Sequence, residues 1–103
     1  MLVLDNNLLK AYNLENKKIL WQIDLSKELS DKDSIVQSFI YKDNIIIFFS
    51  KGIILQLDRL NGEILFKQKL KLSEIAFISS NNENFAISLK NGKVIFYKQW
   101  IIY

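Results

Sequence analysis

The chain has 103 residues and a mass of 12.1 kDa, and half of its residues are hydrophobic, which excludes a disordered chain and fits one small domain. It contains no histidine and no cysteine, which excludes the commonest general base, thiolate nucleophiles, disulfides and Cys-based metal sites. The net charge is only +3, and Arg59 is the one arginine among 14 basic residues, so the charge does not favour nucleic-acid binding.

Short runs rich in Ile, Val, Phe and Tyr follow one another along the chain, separated by clusters of Asn, Asp, Gly and Ser. The chain contains no proline. This pattern predicts β-strands throughout. Residues 1–25 are predicted to form a first, partial unit. Residues 26–34 are predicted to be a solvated loop, with a short helix as the alternative. Residues 35–70 hold four strands and make a complete unit, and residues 71–103 make a third unit that is partial or degenerate.

The units repeat. With an offset of 45 residues, the segment 2–25 aligns without a gap on the segment 47–70. With an offset of 40 residues, 35–58 aligns on 75–98. A period of 40 to 45 residues is typical of four-stranded propeller blades. The sequence therefore predicts an all-β fold, a segment of a β-propeller with about two and a half four-stranded antiparallel blades.

Two glycines mark tight turns inside the repeat. Gly52 in "SKG" and Gly92 in "KNG" lie where a hairpin needs a positive φ, which glycine adopts without a Cβ clash. In the first unit Asn7 takes the matching position, and Asn is the next most tolerant residue there. The run "IIIFF" is too continuously apolar for a sheet with one wet face, so the strands of the complete unit are predicted to be covered on both faces.

The residues between the third and fourth strands of each unit carry a family resemblance. Quinoprotein-type (PQQ-like) propeller repeats have an Ala-x-Asp-x-x-Thr-Gly-x-x-x-Trp motif at this place. The segment "AYNLENKKILW" resembles it at four positions, and "QLDRLNGEILF" resembles it at four. The matching residues are Ala11, Asn13, Asn16 and Trp21 in the first segment, and Asp58, Asn61, Gly62 and Phe66 in the second. Lys17 stands where the family has its glycine, and no such motif is visible in the third unit.

The resemblance implies a role for the motif residues in blade docking. In the family the closing tryptophan packs against the next blade, so Trp21 and Phe66 are expected to be buried at blade interfaces, where each aromatic ring buries about 150–250 Å². Ala11, Asn13, Asp58 and Gly62 are the other residues expected to build these docking positions.

The resemblance also limits the function. Such repeats occur in quinone-dependent dehydrogenases and in non-enzymatic scaffolds, notably the lipoprotein that assists outer-membrane β-barrel protein assembly. The calcium site, vicinal disulfide and catalytic Asp of the dehydrogenases match no position here, so no cofactor, metal or catalytic residue is expected. The resulting hypothesis is a non-enzymatic protein-interaction scaffold that assists outer-membrane protein assembly. A fragment of a quinone-dependent dehydrogenase and a cytosolic propeller interaction module are the alternatives.

Smaller features have structural explanations. Asp31 and Asp33 alternate as calcium-loop ligands do, but the remaining ligands are missing, which favours a solvated loop. Asp58 precedes an Asn-Gly turn, which favours a side-chain cap over a catalytic role. Lys67, Lys69 and Lys71 alternate along one strand face and are expected to line a sheet edge and discourage edge-to-edge pairing, with an acidic partner surface as the alternative.

Two and a half blades do not close a ring, because propellers close with about four to eight. The expected partners are therefore further blades of the same chain, other proteins, or further copies that complete a ring. No apolar run reaches the ~18 residues of a membrane span. The expected location is the periplasm or the periplasmic face of the outer membrane if the chain is a segment, and the cytoplasm if it is complete as written.

Overall fold

The computed structural model describes residues 1–30, 32–70, 74–81 and 84–97, and these residues form ten β-strands and no helix. The strands are β1 (Leu2–Asp5), β2 (Leu8–Tyr12), β3 (Ile19–Asp24), β4 (Ile35–Tyr41), β5 (Asn44–Phe49), β6 (Ile53–Asp58), β7 (Ile64–Lys69), β8 (Ile75–Asn81), β9 (Asn84–Leu89) and β10 (Val94–Tyr97). The described residues contain no helix that is long and apolar enough to cross a membrane.

The strands form three separate antiparallel sheets. The first sheet has the order β1-β2-β3, the middle sheet β4-β5-β6-β7, and the third sheet β8-β9-β10. Each strand pairs with its neighbour in sequence, so hairpin turns alone connect the strands within a sheet. The all-β architecture predicted from the sequence is confirmed.

The middle sheet is buried on both faces. Alternate residues of β5 and β6 point in opposite directions, so each strand supplies two cores. The core shared with the first sheet includes Ile47 and Leu55, and the core shared with the third sheet includes Phe48 and Ile54. Each fully buried side chain of this size contributes about 1.5–3 kcal/mol. Burial from two sides explains why the run "IIIFF" has no polar alternation.

The first hairpin corrects the gapless alignment of the repeat. Leu4 pairs with Leu9, whereas Phe48 pairs with Ile54, the counterpart of Leu9. The offset is therefore 44 residues in β1 and 45 from β2 onward. The cause is the turn: residues 6–7 form a two-residue loop in which both Asn have positive φ, and residues 50–52 form a three-residue loop that ends in a positive-φ glycine.

The loop 26–34 is not wholly solvated, which corrects that part of the sequence prediction. The Leu25 carbonyl accepts hydrogen bonds from the N–H groups of Glu28 (3.0 Å) and Leu29 (2.9 Å), and this single turn directs Leu29 into the core between the first and middle sheets. Leu29 is the one apolar residue in a polar stretch, and its spacing of four from Leu25 is the sequence signal for this contact.

Asp33 links the same loop to the β5–β6 hairpin through hydrogen bonds. Its Oδ1 accepts hydrogen bonds from the Ser34 N–H (2.9 Å), the Ser50 hydroxyl (2.7 Å) and the Lys51 N–H (3.2 Å). The carboxylate is thus used in joining two loops of the middle sheet. Asp31, the other half of the "SDKDS" pattern, lies outside the described residues.

Replacing Asp33 by alanine is expected to destabilise the chain by about 2 kcal/mol, because three donors lose a charged acceptor at a partly buried position. Asp33→Asn is the matched control, since its amide oxygen can still accept these bonds, and it should cost much less. The measurement is the free energy of unfolding in urea. Equal losses for the two variants would contradict the assigned role.

Candidate interaction surface

Trp21 joins the first sheet to the middle sheet. Its side chain is only 8% exposed, and its indole Nε1 donates a hydrogen bond of 2.8 Å to the main-chain carbonyl of Arg59. The ring also lies against Gly62, where a Cβ atom would stand 2.7 Å from Cδ2 and 2.9 Å from Cζ3 of the indole. Strand β3 of one sheet therefore docks on the turn between β6 and β7 of the next.

The receiving turn is shaped by its own hydrogen bonds. The Gly62 N–H donates to the Asp58 carbonyl (2.8 Å), and the Asp58 N–H donates to the Glu63 carbonyl (2.8 Å). The Asp58 Oδ1 accepts from the Leu60 N–H (2.8 Å), and Gly62 has a φ of +77°. Asp58 thus caps its turn, and Gly62 supplies both the left-handed backbone and the flat surface on which the indole lies.

The first sheet contains a copy of this turn. The Lys17 N–H donates to the Asn13 carbonyl (2.8 Å), and the Asn13 N–H donates to the Lys18 carbonyl (2.9 Å). The Asn13 Oδ1 accepts from the Glu15 N–H (2.8 Å), as the Asp58 side chain does for Leu60. Lys17, the counterpart of Gly62, has a φ of +61°. A lysine therefore holds a conformation that favours glycine.

Replacing Lys17 by glycine is expected to stabilise the chain by about 1 kcal/mol, because the substitution removes the steric cost of a Cβ in the left-handed region. Lys18→Gly is the control. Lys18 does not have a positive φ, so this variant should lose stability through the entropy of the unfolded chain. Thermal unfolding of both variants tests the prediction, and a lower midpoint for Lys17→Gly would refute it.

Ala11 makes room for the indole. It pairs directly with Trp21 across β2 and β3 and is buried beside it. The corresponding pair in the middle sheet is Gln56 and Phe66. Gln56 is fully buried, and its longer side chain occupies space that Ala11 leaves free.

Phe66 differs from its predicted position. Its side chain is 40% exposed and does not form a buried blade interface. Phe66 pairs with Gln56 and so lies on the same face, toward the third sheet. The turn that would receive it corresponds to residues 98–102, which lie outside the described residues together with Trp100. Phe66 is thus exposed where burial was expected, and its docking on the third unit stays a prediction because the turn expected to receive it lies outside the described residues.

The two predicted turn glycines have positive φ. Gly52 has a φ of +96°, and a Cβ there would stand 2.8 Å from the Leu70 carbonyl oxygen. Gly92 has a φ of +93° with nothing within 4 Å of the Cβ position. Gly52 is thus required by a close approach of two main chains, and Gly92 by its backbone conformation alone.

The outer strand β7 is exposed along its whole length. Apolar side chains occupy its first half, and Lys67 and Lys69 follow on its second half. Neither lysine forms an ion pair with any described residue. Lys71, the next basic residue, is outside the described ranges. Strand β7 is at the edge of the middle sheet and presents an apolar and basic surface there.

Lys90, unlike Lys67 and Lys69, forms an ion pair with a described residue. Lys90 Nζ lies 2.8 Å from Glu74 Oε2 on the surface of the third sheet, and this hydrogen bond, with the positive charge of Lys90, lowers the pKa of Glu74. The pKa of Asp24 is lowered as well, chiefly by hydrogen bonds from the side chain and the N–H of Ser26. Both carboxylates are exposed, so both effects are screened by solvent.

A lowered pKa in the folded state stabilises the fold above the unfolded-state pKa, and the contribution is lost as the pH falls through the folded-state value. We therefore expect Glu74→Gln to lower the thermal midpoint slightly at neutral pH and to leave it unchanged in acid, where the wild-type carboxyl is protonated. High salt should also remove the difference. A difference that persists in acid would show that the ion pair is not its source.

The described residues contain no cluster of three or more acidic side chains able to hold a metal ion. The arrangement provides surfaces for binding: three packed sheets, the exposed strand β7, and a sheet face at each end.

No family model matches the sequence, and no curated protein matches it at a significant level. Solved structures do resemble it. BamB from Moraxella catarrhalis matches with a TM-score of 0.68 at 15% identity, over 96% of this chain and 28% of that chain. The computationally designed proteins Ika4 and Ika8 match with TM-scores of 0.62 and 0.61, each at 17% identity over 93% of this chain.

The chain has a fold of the β-propeller type. Identities of 15 to 17% establish the fold alone. The chain spans 62% of the Ika4 chain, 31% of the Ika8 chain and 28% of the BamB chain, less than two thirds of each.

Proposed function

We propose that the chain acts as a non-enzymatic scaffold that binds other proteins through its sheet edges. The observation that carries the proposal is the outer strand β7, with its exposed apolar half and two lysines that no described acidic side chain neutralises. A strand at a sheet edge has free main-chain groups, and proteins recognise such edges by adding a strand. Strand β7 is therefore the proposed contact strand.

The charge of β7 defines the partner's chemistry. Lys67 and Lys69 alternate on one side of the strand, where they repel a second lysine-bearing strand and attract an acidic one. Ile64, Leu65 and Phe66 offer apolar contact beside them. The proposed partner is a protein segment that combines apolar and acidic residues in an extended conformation.

Outer-membrane protein assembly, in the periplasm, is the specific process that we propose. The support is the likeness to BamB, a β-propeller protein of outer-membrane assembly, together with the quinoprotein-type motif in residues 11–21 and 56–66. The complete absence of histidine and cysteine favours positioning of partners over chemistry. The fold by itself does not choose between scaffold and dehydrogenase.

Site-specific photo-crosslinking in the protein's own cells tests the proposal. A crosslinking residue at Gln68, between the two lysines, should form an adduct with a protein of outer-membrane assembly, and a crosslinking residue at Glu15 should not. The double variant Lys67→Glu, Lys69→Glu should abolish the adduct while the chain stays folded. No adduct at Gln68 would overturn the contact strand, and an adduct with a protein of another process would overturn the assembly role.

A titration with pyrroloquinoline quinone and calcium separates the scaffold from a quinone-dependent dehydrogenase. We expect no change in the cofactor absorbance beyond that of free cofactor. Stoichiometric binding would replace the scaffold proposal with the enzymatic alternative.

A further inference from the structure

The two ends of the stack expose faces whose counterparts are buried inside it. On the third sheet, the face away from the middle sheet carries Phe77, Val94 and Phe96, all exposed. Val94 corresponds to Ile54 of the middle sheet, which is fully buried against the next sheet. The exposed outer face of the third sheet therefore has an apolar residue at a position that is buried between the middle and third sheets.

The first sheet shows the same relation at the other end. Its face away from the middle sheet carries four residues whose counterparts are buried against the preceding sheet. These residues are Val3, Leu8, Lys10 and Tyr12, and the counterparts are Ile47, Ile53, Leu55 and Leu57. The stack thus ends in two different faces, one built to receive a following sheet and the other to receive a preceding one.

A cavity of about 370 Å³ lies on this outer face of the first sheet and is mainly apolar. Its lining includes Asn13, Leu14 and Lys17, the counterparts of Asp58, Arg59 and Gly62. Those three residues form the turn on which Trp21 docks within the chain. The cavity therefore lies beside the counterpart of the Arg59 turn, on a sheet that has no preceding sheet among the described residues. Because Lys17 carries a Cβ where Gly62 has none, a ring can enter only toward Leu14, not over position 17 as Trp21 lies over Gly62.

An aromatic ring is present at the opposite end. Phe96 on β10 is 78% exposed and lies on the outer face of the third sheet. It takes the position of Ala11, the residue that makes room for Trp21 in the first sheet. In the first sheet the aromatic ring at this place comes from Trp21 on β3. In the third sheet it comes from Phe96 on β10.

We propose that two copies of this chain associate head to tail, with the third sheet of each copy packed on the first sheet of the other and Phe96 inserted into the cavity beside Leu14. In this interface the third sheet of one copy packs on the first sheet of the other in the same way that neighbouring sheets pack within one copy. Two copies give six sheets, which lies within the range of about four to eight in which propellers close, whereas three copies give nine. Strand β7 stays on the outside of such a ring.

Sedimentation equilibrium of the 103-residue chain tests the proposal. The expected mass is twice 12.1 kDa, that is 24.2 kDa. Phe96→Asp places a charge in both interfaces of the dimer and should weaken association by at least about 100-fold, giving the 12.1 kDa species. Leu60→Asp is the matched control, because Leu60 is 77% exposed but lies on neither end face, and it should remain dimeric.

A second variant separates the head-to-tail arrangement from a symmetric one. Leu14→Asp, at a position 71% exposed on the rim of the cavity, should also give monomers. A mixture of the two variants should recover part of the association, because one interface of the mixed dimer is then unaltered. Far-UV circular dichroism verifies that both variants fold. A wild-type monomer, a wild-type mass above 24.2 kDa, or a dimer that survives either substitution would overturn the proposal.

Discussion

Replacing Gly62 by alanine is expected to destabilise the chain by about 3 kcal/mol, although one methyl group is all that the substitution adds. Two costs combine. The new Cβ would stand 2.7 Å from the Trp21 Cδ2 and 2.9 Å from Cζ3, closer than van der Waals contact allows, and overpacking of this kind costs about 1–3 kcal/mol. The φ of +77° adds the cost of a side chain in the left-handed region, about 1–2 kcal/mol.

Gly92→Ala separates the two costs. Gly92 also has a positive φ, but nothing lies within 4 Å of its Cβ position, so only the backbone cost applies. Urea unfolding of both variants should show a difference of about 2 kcal/mol, with Gly62→Ala the less stable. Equal losses would mean that the indole moves away without cost, and the contact between Trp21 and Gly62 would then not hold the two sheets together.

The turns show what the sequence could predict. Asn13 and Asp58 lie at the same offset before similar residues, and each caps its own turn through a hydrogen bond to the N–H two residues ahead. Such a bond depends only on nearby residues, so a local pattern is sufficient to predict it. The strands, the three sheets and the burial of β5 on both faces follow in the same way from short apolar runs between turns.

Features that depend on distant partners were not predictable from the pattern. Trp21 and Phe66 occupy equivalent positions in the alignment, yet one is buried and the other is 40% exposed. Trp21 is buried because it packs on the turn that contains Arg59 and Gly62, a partner 38 residues or more away in the chain. The sequence alignment did not show that the loop of the first hairpin is one residue shorter. Both "NN" and "SKG" indicate a tight turn, and only the strand register reveals the two loop lengths.

The proposed contact strand shows the same limit. Three lysines at alternate positions after an apolar run predict an edge strand, and β7 lies at the edge of the middle sheet. The sequence alone left open whether these cations are neutralised within the chain. In the structure no described acidic residue forms an ion pair with Lys67 or Lys69, whereas Glu74 pairs with Lys90 on the third sheet. The pairing of acids and bases is a tertiary property that spacing does not encode.

Trp21 combines a buried ring with a hydrogen bond across the interface between the first and middle sheets. Trp21→Ala is expected to cost about 3–5 kcal/mol, because it removes a buried ring from a core that cannot collapse fully around the cavity. Trp21→Phe keeps most of the ring and loses the hydrogen bond to the Arg59 carbonyl, so it should cost about 1–2 kcal/mol. Phe66→Ala, at the equivalent exposed position, should cost about 1 kcal/mol.

The double variant Trp21→Ala, Gly62→Ala tests the contact directly. Without the indole, the alanine methyl at position 62 meets no ring, and its cost should fall from about 3 to about 1 kcal/mol, the backbone share alone. The expected coupling between the two sites is therefore about 2 kcal/mol. Additive losses, or a Phe66→Ala loss as large as that of Trp21→Ala, would show that the indole is not the element that fixes one sheet on the next.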